Sequence, residues 1–150
     1  MGASFIKIAA TGLGSGLSPF APGTVGTILG IPIYLLFSLF SPPLYLFSVL
    51  AFIFFSVYVS QEAEIIFEEK DSSKIVIDEI AGYLVAMMFV PPSLFTVILG
   101  FALFRFFDIL KPFPIGVIEK RLPGGCGVVG DDVMAGIYGA VVLHIVLRLF

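Results

Sequence analysis

A chain of 150 residues has room for one domain and not for two ordinary ones. Hydrophobic residues make up 59% and charged residues 13%, against roughly 45–50% and 25% in soluble domains, and the net charge of −3 argues against nucleic acid as a partner. From Ile8 to Gln61 there are 54 consecutive residues without Asp, Glu, Lys, Arg or His, which excludes an ordinary soluble core and predicts an integral membrane protein.

The chain opens with Ser4-Phe5-Ile6-Lys7, a short amphipathic or interfacial piece. Only Lys7 precedes the apolar stretch, so no cleavable signal is expected. Next comes Thr11-Gly12-Leu13-Gly14-Ser15-Gly16-Leu17-Ser18-Pro19-Phe20-Ala21-Pro22-Gly23-Thr24, whose alternating glycines and two prolines break any continuous helix. Irregular backbone at membrane depth must be buried in protein or line a wet cavity, so this loop is expected to line a site or re-enter the membrane.

Five hydrophobic segments follow: about Thr24 to Phe40, Leu44 to Ser60, Ile75 to Val90, Leu94 to Leu110 and Asp131 to Phe150. Ser41-Pro42-Pro43 and Pro91-Pro92 supply tight stops. Lys111 to Gly130 is expected to be a loop carrying a short amphipathic helix around Ile115 to Arg121. At 1.5 Å per residue, segments of about 16 to 20 residues cover roughly 24–30 Å, just enough for the hydrocarbon core. The expected fold is an all-α integral membrane protein, a compact bundle of about five transmembrane helices behind a Gly/Pro-rich re-entrant or interfacial segment. No repeat or linker divides residues 1–150, so one membrane-embedded domain is expected.

The proline hairpins carry no charge, whereas the other connections carry Lys7, Lys70, Lys74, Lys111, Lys120 and Arg121. The positive-inside rule puts the basic connections in the cytoplasm. Alternating helices then bring the glycine loop, Asp78-Glu79, Asp108-Lys111 and Asp131-Asp132 to that same face. Carboxylates gathered near a bilayer are tolerable only with cations among them. An all-oxygen set without a useful His or Cys favours hard ions, chiefly Mg²⁺ or Mn²⁺, and the candidate ligands are Asp78, Glu79, Asp108, Asp131 and Asp132. Arg105 and Lys111 flank Asp108 at i−3 and i+3. Gly14, Gly16, Gly23 and Thr24 offer backbone N–H groups for a phosphate.

Each cluster has a plainer alternative. Arg105–Asp108 could be a structural ion pair, and the acidic pairs could be helix caps. Glu62, Glu64, Glu68, Glu69 and Asp71 are expected to be a solvated surface, and Cys126 incidental. His144, together with Gly82, Ala86, Ala135, Gly136, Gly139 and Ala140, is expected to serve helix packing. Those small-residue faces also allow a homodimer.

Four blocks carry a further signal: Gly14 through Gly26, Asp78-Glu79-x-x-Gly82, Phe104-Arg105-x-x-Asp108-x-x-Lys111-Pro112-x-Pro114-Ile115, and Gly130-Asp131-Asp132-x-x-Ala135-Gly136. In order and spacing they resemble the signature blocks of the phosphatidylglycerophosphatase A family, over about residues 12 to 140. The resemblance implies a Mg²⁺-dependent bacterial inner-membrane enzyme with its site facing the cytoplasm. It would convert phosphatidylglycerophosphate into phosphatidylglycerol and inorganic phosphate. Asp78, Glu79, Asp108, Asp131 and Asp132 are implied as the acidic site, with Thr24, Arg105 and Lys111 carried in their blocks. Either water or an aspartate (Asp131 or Asp132) is the expected nucleophile. A phosphatidyltransferase would want a D-x-x-D…G-x-x-x-D-x-x-x-D pattern that is missing here, and an ion channel would want its acids at mid-membrane.

Overall fold

Proline, glycine and left-handed residues punctuate the chain into seven α-helices, with no strand among residues 2–150, which the structure, a computed structural model, describes. They are α1 (Ala3–Ala10), α2 (Pro22–Phe37), α3 (Pro42–Phe67), α4 (Ile77–Ala86), α5 (Leu94–Leu110), α6 (Ile115–Arg121) and α7 (Gly124–Leu149). Pro22 and Pro42 stand in the first turns of their helices, where the missing N–H is no loss. Ser93 and Thr96 form a reciprocal capping box that starts α5. Glu68 and Lys111 adopt left-handed backbone and end α3 and α5.

The helix α4 is the centre of the bundle. Nine of its ten residues are buried, and α2, α3, α5 and α7 pack around it. Small residues let α7 approach closely: a Cβ at Gly136 would strike the Gly82 carbonyl and stand 3.0 Å from Val85 Cβ. A Cβ at Gly139 would touch Ala86. These small-residue faces pack within the chain, as expected.

Two expectations need correction. Only α3 and α7, each 26 residues, are long and apolar enough to cross a membrane by themselves, not about five helices. The 16 residues of α2 and 17 of α5 fall short, and the 10 of α4 cover only about 15 Å. Hydrophobicity from Ile75 to Val90 reflects burial inside the bundle rather than a full crossing. The second correction concerns α7, which begins at Gly124, seven residues before Asp131. Its glycine-rich start is helical because the Gln61 carboxamide accepts from the Gly125 amide at 2.9 Å and Gly125 lies against the Val57 carbonyl of α3.

A helix that stops inside a bundle leaves carbonyls without partners. Here Tyr45 donates to the Leu84 carbonyl at 3.0 Å, and Tyr34 donates to that of Val90 at 2.7 Å. His144 Nε2 lies 2.9 Å from the Met88 carbonyl, a packing role rather than that of a base. At the other end, α1 seats Ile6 and Ala10 among Val59 and Ala63 of α3, with Ile75 and Ile77. The Val76 amide donates to the Ala10 carbonyl at 2.8 Å, tying this N-terminal piece to the approach to α4.

Gly136→Leu is expected to force α7 away from α4 and destabilise the fold by roughly 1–3 kcal/mol. Ile137→Leu, at an exposed neighbouring position, should leave the melting temperature in detergent unchanged.

Candidate active site

Every acid singled out from the sequence arrives in one place. Asp78 and Glu79 lie in the first turn of α4, where the helix dipole favours negative charge. Asp108 comes from the last turn of α5, and Asp131 and Asp132 from two turns into α7. That depth removes the helix-cap explanation for the last pair, because the first turn of α7 contains no acid. Asp78, Asp131 and Asp132 are only 7%, 5% and 3% exposed. Asp78, Glu79 and Asp132 form one group whose ligand atoms lie within 4.8 Å of one another; Asp108, Asp131 and Asp132 form another.

Two cations border the acids. Arg105 Nη1 donates to Asp108 Oδ2, one turn further along α5. The same guanidinium and the Glu79 carboxylate lie where a Cβ on Gly23 would stand, so the first turn of α2 rests directly on the site. Val25 donates to the Ala21 carbonyl and Pro22 has no N–H, which leaves the Gly23 and Thr24 amides as the open donors of that turn. Gly14 and Gly16 do something else. The Gly14 amide donates to Thr11 Oγ1 at 3.1 Å and the Gly16 amide to the Thr11 carbonyl at 2.8 Å. Gly14 has φ +95°, a turn conformation that favours glycine, and Gly16 packs on the Lys74 carbonyl. Their role is to shape the loop, and the expectation that their amides hold phosphate is corrected accordingly.

Lys111 also differs from the sequence picture. Its left-handed backbone, φ 47°, turns it away from Asp108 and toward α6 and α7. Its Nζ donates to Asp131 Oδ2 and pairs with Glu119 Oε1, both at 2.9 Å. Burial pushes the ammonium pKa down, but the hydrogen bonds and charges of Asp131 and Glu119 outweigh this and raise it. Hydrogen bonding from Lys111 holds the Glu119 carboxyl below the usual carboxylate range, against the opposing effect of partial burial. Glu119 was missed in the sequence because it lies on a short helix beside Lys120 and Arg121, which suggest a solvated face. Its one available signal was an acid among bases on the short helix expected around Ile115 to Arg121.

The remaining polar residues stay outside. Glu68, Glu69 and Asp71 are exposed, while Glu64 accepts from the Asp71 amide at 2.7 Å. Cys126 is an exposed free thiol.

Whether a metal fits can be judged from the acids themselves. Asp78 Oδ1, Glu79 Oε2 and Asp131 Oδ1 are buried and have no hydrogen-bond partner among the described residues. Buried carboxylate oxygens of this kind need a proton or a cation. The donor set is all oxygen, which suits a hard divalent ion.

An all-helical scaffold with carboxylates at its heart and an arginine and a lysine at their rim sets groups that suit a cation beside groups that suit a phosphate. A family model described as Phosphatidylglycerophosphatase A matches residues 8–147, and the chain belongs to that family. It is 41% identical over 144 residues to Phosphatidylglycerophosphatase A of Haemophilus influenzae, covering 92% of this chain and 86% of that one. With the protein of the same name from Escherichia coli it shares 35% over 138 residues, 91% of this chain and 80% of the relative. A Bacteroides thetaiotaomicron protein, named as a candidate phosphatidylinositol-3-phosphatase, is 37% identical over 143 residues, covering 90% and 89%. No solved structure matches the chain.

Glu119→Gln is expected to lower stability at neutral pH by about 1 kcal/mol or less, since the pair is partly solvated. The folded Glu119 carboxyl binds its proton more weakly than the unfolded one, so its contribution is complete above the usual carboxylate range and fades as pH falls through the depressed value. The gap in melting temperature between variant and parent should therefore narrow as the pH is lowered from about 6 to about 3.

Proposed function

We propose that this chain hydrolyses the terminal phosphate of phosphatidylglycerophosphate, yielding phosphatidylglycerol and inorganic phosphate, with Mg²⁺ as its cofactor. Family membership supports the substrate. The observation that carries the metal is the set of buried, unpartnered carboxylate oxygens on Asp78, Glu79 and Asp131.

The membrane setting rests on the exterior. Among the described residues, thirty large hydrophobic side chains are exposed, including Phe47, Phe54, Phe95 and Ile145, far more than a water-soluble monomer tolerates. With α3 and α7 crossing the bilayer, α4 ends inside the bundle and the acids sit near one membrane face. The basic residues Lys70, Lys74, Lys111, Lys120 and Arg121 support a reading in which that face is the cytoplasmic one of a bacterial inner membrane. The acyl chains of the substrate stay in lipid while its head group enters the site.

Asp78, Glu79, Asp108, Asp131 and Asp132 would hold the ion. When bound, Mg²⁺ supplies Lewis-acid polarisation of the phosphate and a more acidic water. The open Gly23 and Thr24 amides, at the positive end of α2, receive phosphate oxygens. Arg105, held by Asp108 beside Gly23, offsets the charge that builds on those oxygens as phosphorus becomes five-coordinate. Lys111 holds Asp131 in place and screens its charge from the incoming phosphate. Water attacks phosphorus, its proton passes to a carboxylate of the cluster, and that proton is returned to the ester oxygen as the phosphorus–oxygen bond breaks and the lipid alcohol leaves.

Purified protein is expected to release phosphate from phosphatidylglycerophosphate with Mg²⁺ and to stop when the ion is chelated. Asp108→Asn and Asp132→Asn should lose at least about 10²-fold in turnover while remaining folded, and Arg105→Lys about 10²-fold. Glu68→Gln, on the exposed surface, should match the parent. Phosphatidylinositol 3-phosphate as the better substrate would move the reading toward the activity named for the Bacteroides relative. Absence of release in any divalent metal by a folded sample would remove it.

Gly23→Ala offers a separate test, since its Cβ collides with the Glu79 carboxylate and stands 3.2 Å from Arg105 Nη1. Turnover should fall about 10-fold or more, with little change in melting temperature.

A further inference from the structure

We infer that the carboxylate cluster holds two divalent cations rather than one, with Asp132 shared between them. The inference rests on the metal-dependent phosphatase reading and deepens it. Asp132 is the member common to both acidic groups, Asp78–Glu79–Asp132 on the α4 side and Asp108–Asp131–Asp132 on the α5 side. Each group independently contains a buried oxygen without a partner: Asp78 Oδ1 and Glu79 Oε2 in the first, Asp131 Oδ1 in the second. One ion seated in either group leaves the unpartnered oxygen of the other still buried, at the cost that such groups carry.

Charge and coordination lead to the same number. Asp78, Glu79, Asp108, Asp131 and Asp132 have only Arg105 and Lys111 as hydrogen-bonded cations among the described residues, which leaves three negative charges, more than one divalent ion offsets. Both cations make their hydrogen bonds on the α5 side, to Asp108 and to Asp131, although the Arg105 guanidinium also lies near Glu79 at Gly23. The α4 side has no hydrogen-bonded cation of its own among the described residues. A single Mg²⁺ ordinarily takes one or two carboxylates and fills its octahedral shell with water and phosphate, so five converging acids exceed what one ion uses. In phosphoryl transfer a pair of ions clamps both the attacking and the leaving oxygen.

The test uses Mn²⁺ alone as the probe, on purified full-length protein in detergent at neutral pH. Equilibrium dialysis counts the ions, and electron paramagnetic resonance reports whether they interact. Expected are two Mn²⁺ per chain and, as the second enters, loss of the six-line signal of isolated Mn²⁺ into a broad exchange-coupled spectrum. Asp132→Asn should abolish the coupling. Asp78→Asn should leave one isolated ion, a second variant in case the first does not fold. Saturation at one isolated Mn²⁺ in a protein that still releases phosphate from phosphatidylglycerophosphate would overturn the two-ion inference and leave the phosphatase reading intact. Two ions without coupling would overturn the sharing of Asp132. Neither binding nor release would overturn both.

Discussion

Negative charges that have left water repel one another more strongly than they do in solvent, and each also loses its hydration. Asp78, Asp131 and Asp132 are all nearly fully buried, and Asp132 lies close enough to each of the other two to share a ligand group with it. Such a cluster is stable only with positive charge placed among it. Arg105 and Lys111 supply part of that charge, and the positive ends of α2 and α4 supply a smaller share. A hard divalent cation would supply the remainder, so the property that makes the acids hard to bury also makes them candidate ligands.

The scaffold follows from holding this cluster steady. To bring Asp132 beside Asp78, α7 must approach α4 more closely than ordinary side chains permit, and Gly82, Gly136 and Gly139 remove the obstruction. To end α4 inside the bundle, its last carbonyls need donors, which Tyr34, Tyr45 and His144 provide. The polar groups at the far end of α4 are therefore structural, and those at its near end are chemical. Phe104, fully buried and packed against Gly82, locks α5 to the same pair of helices one residue before Arg105.

The exterior suits a substrate that never leaves lipid. Exposed large hydrophobic side chains stud α3 and the outer faces of α2 and α5. On the proposed reading, a lipid that diffuses in the membrane plane needs only to present its phosphate at this rim.

Several features were legible from residue order alone, because they depend on local stereochemistry or on composition. Pro91-Pro92 and Pro112 exclude helix on either side of α5, so its bounds came out as they stand in the structure. Acids in an uncharged chain stand out whatever the fold, and the small-residue faces declared close helix packing. What the tertiary structure decided was everything set by distance between remote segments. Hydropathy cannot separate a full crossing from a half-length helix buried on all sides, so α4 was read too long. Glycines beside α3 became helix because packing and Gln61 outweighed their local preference. Lys111 found Asp131 and Glu119 only once a left-handed turn redirected it, and the Gly14 and Gly16 amides were taken by Thr11. The acids themselves were determined by the chain, but Asp132 standing between two groups of them was decided by how closely α7 lies on α4, a distance that no local pattern encodes.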